Sequence, residues 1–260
     1  MIYIDDRSSR GDPAPYAAFQ QNYILSRPQL DPVLDHFAEC LGEMWTFYDA
    51  FTANAIVTSS LEFVSGCLLE NLTTDMPINP LADRYPYFLR SKTGVAQAYT
   101  FMMFPKAQHH TPTAFIQAAP AISYWIDITN DILSFHKEEL AGETGNYVHL
   151  RAAVVHRKPI EVVGNLVEEA LRATESIEST LDGAALDAWR TFKEGYVTFH
   201  ISQERYRLSE IAAALEPSVG LHGQQMVGLQ LDGEERSMPI HGSIIVAIAL
   251  VSSSVTYFLI

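Results

Sequence analysis

Cysteine is scarce: the chain of 260 residues has two, Cys40 and Cys67, and no CxxC or Cys/His cluster. Two cysteines do not build a disulfide framework, and a zinc centre of the thiolate type would lack ligands. That usage suits a reducing compartment, so the expected location is cytoplasmic. Basic residues are also few. Seventeen Lys and Arg stand against 31 Asp and Glu, for a formal net charge of −14. This excludes a broad basic surface, and with it a general binder of nucleic acid or anionic membrane. An anionic substrate is still allowed where a few cations or metal ions gather in one cleft. Strand-like alternation is scarce and there is no internal repeat. The opening "MIYIDDRSSR" lacks the basic start and apolar run of a signal peptide.

What the chain does have is core material, at 48% hydrophobic and 11% aromatic. Its length admits one large domain or two ordinary ones. "LDPVLDHFAECLGEMWTFYDAF" repeats apolar residues at three- and four-residue intervals, with Val33, Leu34, Phe37, Leu41, Met44 and Trp45 predicted to face a core. "NAIVTSSLEFVSGCLLENL" does the same through Ile56, Leu61, Phe63, Val64 and Leu68. Further helical blocks are expected at 85–103, 113–140, 159–181 and 184–214, separated by "DMPINPLADRYP", "FPKAQHHTP", "LAGETGNY" and "LEPSVGLHG". The expectation is an all-α domain over residues 1–215. Residues 216–260 form a divergent tail, polar and Gly-rich to 242 and then nearly all apolar. Its last eighteen residues sit at the lower limit for spanning a bilayer and are interrupted by Ser252, Ser253 and Ser254. A C-terminal membrane anchor, a buried segment and a defective chain end stay open.

Two oxygen-rich clusters stand out. "YIDDRSSRGDP" carries Asp5, Asp6 and Asp12, a set that a solvated helix end would also show. "NDILSFHKEE" places Asn130, Ser134 and Glu138 at four-residue spacing, so they share one helix face. A merely wet face has the same residue types, but Asn inside a helix is unfavourable without a reason. Carboxylate, amide and hydroxyl oxygens without sulfur or imidazole suit a hard cation such as Mg²⁺, which keeps water and binds phosphate oxygens. Fixed cations and donors for a phosphate are available in Arg90, Lys137, Arg205 and Tyr206, each of which taken alone is an ordinary surface group.

Taken in order, "YIDDRSSRGDP", "SSLEFVSGCLLE", "YPYFLRSKTG", "NDILSFHKEE" and "GYVTFHISQERYRLSEI" resemble the class I terpene cyclases, and specifically the fungal trichodiene synthase family, from about Ile2 to about Ala214. The resemblance implies a helical barrel holding farnesyl diphosphate beneath three Mg²⁺ ions, with a homodimer allowed. It implies that Asp5 is the principal ligand of the aspartate-rich motif, supported by Asp6, and that Asn130, Ser134 and Glu138 hold another Mg²⁺. It further implies that Lys137, Arg205 and Tyr206 bind the diphosphate, and that Arg90 senses it beside an effector turn at Thr93 and Gly94. Phe63, Trp125, Tyr196 and Phe199 are candidates for lining the cation cavity, with core packing as the ordinary alternative.

Three features depart from that pattern. Ser9 stands where a further acidic residue is common, with Asp12 as partial compensation. His136 replaces an aromatic residue. The helices that precede the aspartate-rich motif in the family are missing ahead of Met1, so the expected barrel lacks its first helices. The leading expectation is a Mg²⁺-dependent sesquiterpene cyclase, a carbon–oxygen lyase. The alternatives are an impaired or truncated paralogue that only binds isoprenoid diphosphate, and a chain-elongating prenyltransferase, which normally carries two aspartate-rich motifs.

Overall fold

The computed structural model describes residues 2–8 and 11–213. The tail at 216–260, with its apolar end, and the Ser9 position lie outside the described residues. Within them the chain is all-α, as expected, and no strand is present among the described residues.

A short α1 (Ile2–Ser8) carries the paired aspartates. It is seated by Ile4, 2% exposed, and by the Tyr3 hydroxyl, which donates to Asp31 Oδ2 at 3.0 Å. Asp31 is in turn the N-cap of α3 (Pro32–Gly42), accepting from the Val33 amide at 2.7 Å, so one carboxylate starts a helix and holds α1. Between them lies α2 (Ala14–Ile24), and α4 (Met44–Phe47) is a single turn. In α3 and α4 the inward face is narrower than the apolar pattern suggests. Leu34 and Leu41 are buried and Phe37 and Met44 pack on the core, but Val33 and Trp45 are exposed.

Asp49 caps α5 (Ala50–Leu72), accepting from the Phe51 and Thr52 amides. Among the described residues α5 is the one helix long and apolar enough to cross a membrane, yet Ile56, Phe63, Val64 and Cys67 are core, and it packs against α6 (Tyr85–Thr93) and α7 (Ala96–Met102). The block expected at 85–103 is therefore two helices. They break at Gly94 and Val95, where Val95 sits at φ 50°, a left-handed conformation costly for a β-branched residue.

A 3-10 turn at Pro112–Ala114 precedes α8 (Ala119–Ala141), so the helix expected from 113 starts six residues later. Gly142, at φ 71°, terminates α8 with the Glu143 amide donating back to the Glu138 carbonyl. α9 (Tyr147–Val155) is capped by Asn146, and α10 (Pro159–Thr180) begins with proline at its first position. α11 (Gly183–Ser202) ends before the 3-10 turn Glu204–Tyr206 and α12 (Leu208–Ala213), so the last expected block is also divided. α8 is the hub. It packs on α7, α9, α10 and the Glu204–Tyr206 turn, and Trp125 meets Trp189 of α11 edge-on at 5.0 Å.

Candidate metal and diphosphate site

Two rows of oxygens run along α8. Asp127 and Asp131 form one and Asn130, Ser134 and Glu138 the other, each row at four-residue spacing. The first row is engaged by Arg90, although Asp127 Oδ1 has no hydrogen-bond partner among the described residues. Arg90 of α6 donates from Nε to both Asp131 oxygens, at 2.8 and 2.9 Å, and from one terminal nitrogen to the Asp127 carbonyl at 2.9 Å. Its other terminal nitrogen lies 3.3 Å from Asp127 Oδ1. Burial pushes both carboxyls above the usual range while Arg90 pulls them back, and the two carboxylates hold the guanidinium firmly protonated despite its burial. Gly94 makes this possible. A Cβ there would overlap Asp127 Oδ1 and an Arg90 nitrogen.

The second row is Asn130, Ser134 and Glu138. Asn130 accepts from Arg90 through Oδ1 at 3.2 Å and donates through Nδ2 to His200 Nε2 at 3.1 Å. Ser134 is 2% exposed, and its hydroxyl has no hydrogen-bond partner among the described residues. The Thr52, Ser60 and Thr129 hydroxyls are also unpartnered, so what marks Ser134 is its place between Asn130 and Glu138. Glu138 accepts from Asn146 Nδ2 at 3.0 Å and lies 3.5 Å from Lys137 Nζ.

Around this row stand the remaining residues singled out from the sequence. Asp5 is exposed on α1, but the surrounding protein and Asp6 raise its pKa, with Lys137, Arg205 and Arg90 opposing. Asp6 lies 3.8 Å from Arg205. Lys137 and Arg205 both sit over the Tyr206 ring, at 6.0 and 5.7 Å from its centroid, which ties the 3-10 turn to α8. The structure thus brings Asp5, Asp6, Arg90, Asn130, Ser134, Lys137, Glu138, Arg205 and Tyr206 into one neighbourhood.

The aromatic candidates divide. Phe63 and Trp125 are buried in the core, Tyr196 donates from its hydroxyl to the Ile126 carbonyl at 3.3 Å, and Phe199 is 42% exposed. Of two cavities, one of about 310 Å³ is lined by Tyr87, Tyr124, Tyr147 and Arg151, and one of about 140 Å³ by Lys92, Ser123 and Asp127 among others.

Glu70, near the end of α5, was not legible as a site residue. Burial pushes its carboxyl up to about 7, with Asp5, Glu138 and Glu143 adding to the rise and Arg90 opposing it. Its electrostatic neighbours thus include Asp5, Arg90 and Glu138 of the site. Asp127 and Asp131 were also missed, although two acids four apart in an apolar run need a buried cation. Among the described residues no three His, Cys, Asp or Glu side chains converge as a metal cluster. A cation here would rely on the Asn and Ser oxygens together with carboxylates. An orphaned hydroxyl between an amide and a carboxylate fits a hard cation.

The trichodiene synthase family model matches residues 1–218. The chain belongs to the trichodiene synthase family. Over 213 residues it is 35% identical to terpene synthase BipA of Cochliobolus sativus, covering 80% of this chain and 65% of that protein. Terpene synthase 29 of Postia placenta is 38% identical over 180 residues, covering 69% and 53%. Monoterpene synthase 25 of the same fungus is 36% identical over 180 residues, covering 69% and 54%. The chain thus spans between about half and two thirds of the length of these relatives. Membership makes the all-α architecture that of a class I terpene synthase.

Proposed function

We propose that the chain ionises an allylic prenyl diphosphate with Mg²⁺ and cyclises the resulting cation, with farnesyl diphosphate as substrate and a cyclic sesquiterpene as product. The observation that carries this reading is the row Asn130–Ser134–Glu138, whose middle oxygen is buried without a hydrogen-bond partner among the described residues, on the helix that also carries Lys137. In this reading Asn130, Ser134 and Glu138 hold one Mg²⁺ and Asp5, with Glu70, serves the others, three being expected with diphosphate bound. Bound there, Mg²⁺ supplies Lewis-acid stabilisation of the leaving group.

The chain's own groups do the rest. Lys137, Arg205 and Tyr206 donate to diphosphate oxygens, fixed in advance by their stacking and by the Asp6–Arg205 pair. Arg90, anchored by Asp131 and Asp127, has two terminal hydrogens left to offer, both on the nitrogen 3.3 Å from Asp127 Oδ1. The allylic C–O bond breaks with its electron pair leaving on the diphosphate. The carbocation then needs a dry, aromatic wall, each face worth about 1–2 kcal/mol. Of the four candidates Tyr196 is partly buried, whereas Phe63 and Trp125 pack in the core and Phe199 is exposed.

A second substrate, geranyl diphosphate, is favoured by the relative named a monoterpene synthase. Incubating the full chain with farnesyl, geranyl or geranylgeranyl diphosphate, with and without Mg²⁺, and analysing extracts by gas chromatography separates the readings. A Mg²⁺-dependent cyclic C15 product is expected, and C10 product alone would favour the second substrate. No terpene from any of the three would overturn catalysis, and Mg²⁺-dependent diphosphate binding without turnover would leave a non-catalytic binder.

A further inference from the structure

His200 is 2% exposed, lies on α11, and has no role in the site as described from the family. Its ring is fixed from two sides. Nδ1 lies 2.8 Å from the Tyr196 carbonyl, which can only accept, so Nδ1 carries a proton. Nε2 lies 3.1 Å from the Asn130 amide nitrogen. The orientation of that amide has an independent witness: the atom 3.2 Å from the Arg90 guanidinium must be an acceptor, because the guanidinium only donates. Oδ1 therefore faces Arg90, Nδ2 faces His200, and Nε2 is the acceptor for Nδ2–H. The donor and acceptor demands of Arg90, Asn130, His200 and Tyr196 agree in one orientation.

We infer that His200 is a positioning residue: together with Arg90, which donates to one lone pair of Oδ1, it receives the Asn130 amide hydrogen and so holds the amide with the second oxygen lone pair, rather than the nitrogen, available to Mg²⁺. The inference rests on the Mg²⁺ reading above. An amide nitrogen has no lone pair for a hard cation, so a flip would remove Asn130 as a ligand.

Packing is the competing explanation, since the His200 ring lies 4.5 Å from the rings of both Tyr196 and Tyr206. Two substitutions separate them. His200→Phe keeps a ring and loses the acceptor, whereas His200→Gln loses the ring and keeps an acceptor. The readout is the melting midpoint of the full chain as Mg²⁺ is titrated at fixed inorganic diphosphate. Positioning predicts that H200F needs about tenfold more Mg²⁺ or greater for a half-maximal shift, while H200Q stays within about threefold of wild type. The inference is overturned when H200F responds like wild type, or when both variants weaken alike. Should H200F fail to fold, H200Q alone decides: about tenfold loss of Mg²⁺ response at an unchanged metal-free midpoint contradicts positioning, and a near wild-type response supports it. Absence of any Mg²⁺ shift in the wild type overturns the metal reading itself, and this inference with it.

Discussion

Ser134 and Asp131 are three residues apart on α8, and removing each side chain should have opposite consequences. The Ser134 hydroxyl is buried and unpartnered, so Ser134→Ala removes an unsatisfied polar group. The metal-free protein should be unchanged or stabilised by up to about 1 kcal/mol in chemical denaturation. Mg²⁺-dependent diphosphate binding, measured by calorimetry, should weaken at the same time. A destabilised variant with intact binding would show that the hydroxyl serves the fold. Asp131→Ala leaves Arg90 buried with half its carboxylate support, and a loss of about 3–5 kcal/mol is expected. At this scale the sequence was legible wherever residues of one helix act together, as in Asn130, Ser134, Lys137 and Glu138. It was not legible where the partner lies on another element. Glu70 and His200 are not singled out by the sequence, because the groups they act with lie on other elements, α1 and α8.

Helices were legible from their apolar period and their breaks were not. Thr93–Gly94–Val95 contains no proline, and no propensity places valine in the left-handed region, so 85–103 reads as one helix. The break is set by close approach. Gly94 fits under Asp127 and Arg90, and a Cβ on Gly66 of α5 would overlap the Lys92 carbonyl of α6. Gly66→Ala must push α6 away from α5, and a loss of about 1–3 kcal/mol is expected in denaturant titration. Gly94→Ala should cost a similar amount, about 1–3 kcal/mol, and also weaken diphosphate binding, because the displaced groups are the ones that anchor Arg90. Equal binding by Gly94→Ala and wild type would separate the turn from the site.

For the molecule as a whole, composition and periodicity together specify the all-α class, and five ordered motifs point to the family. The net charge of −14 gave no hint of where cations would gather, because Lys137, Arg205 and Arg90 come from three separate elements. The gathered acids predict a pH dependence. Glu70 binds its proton more tightly folded, up to about 7, than at its ordinary 4.5. Its contribution to stability is therefore full below 4.5 and is lost as pH rises to about 7. Mg²⁺ binding, which needs the carboxylate, should tighten over the same interval. Glu70→Gln should flatten both trends, as read from denaturation midpoints and Mg²⁺ titrations at pH values across that window. Unaltered trends in the variant would assign them to other groups.

α8 is expected to present a Mg²⁺ site at Asn130, Ser134 and Glu138. Anomalous diffraction from crystals of the full chain soaked in Mn²⁺ and inorganic diphosphate tests it most directly. A peak bounded by Asn130, Ser134 and Glu138, with a second beside Asp5 and Glu70, is the predicted result. Diphosphate bound without any peak on the α8 row, or peaks confined to other carboxylates, would contradict it.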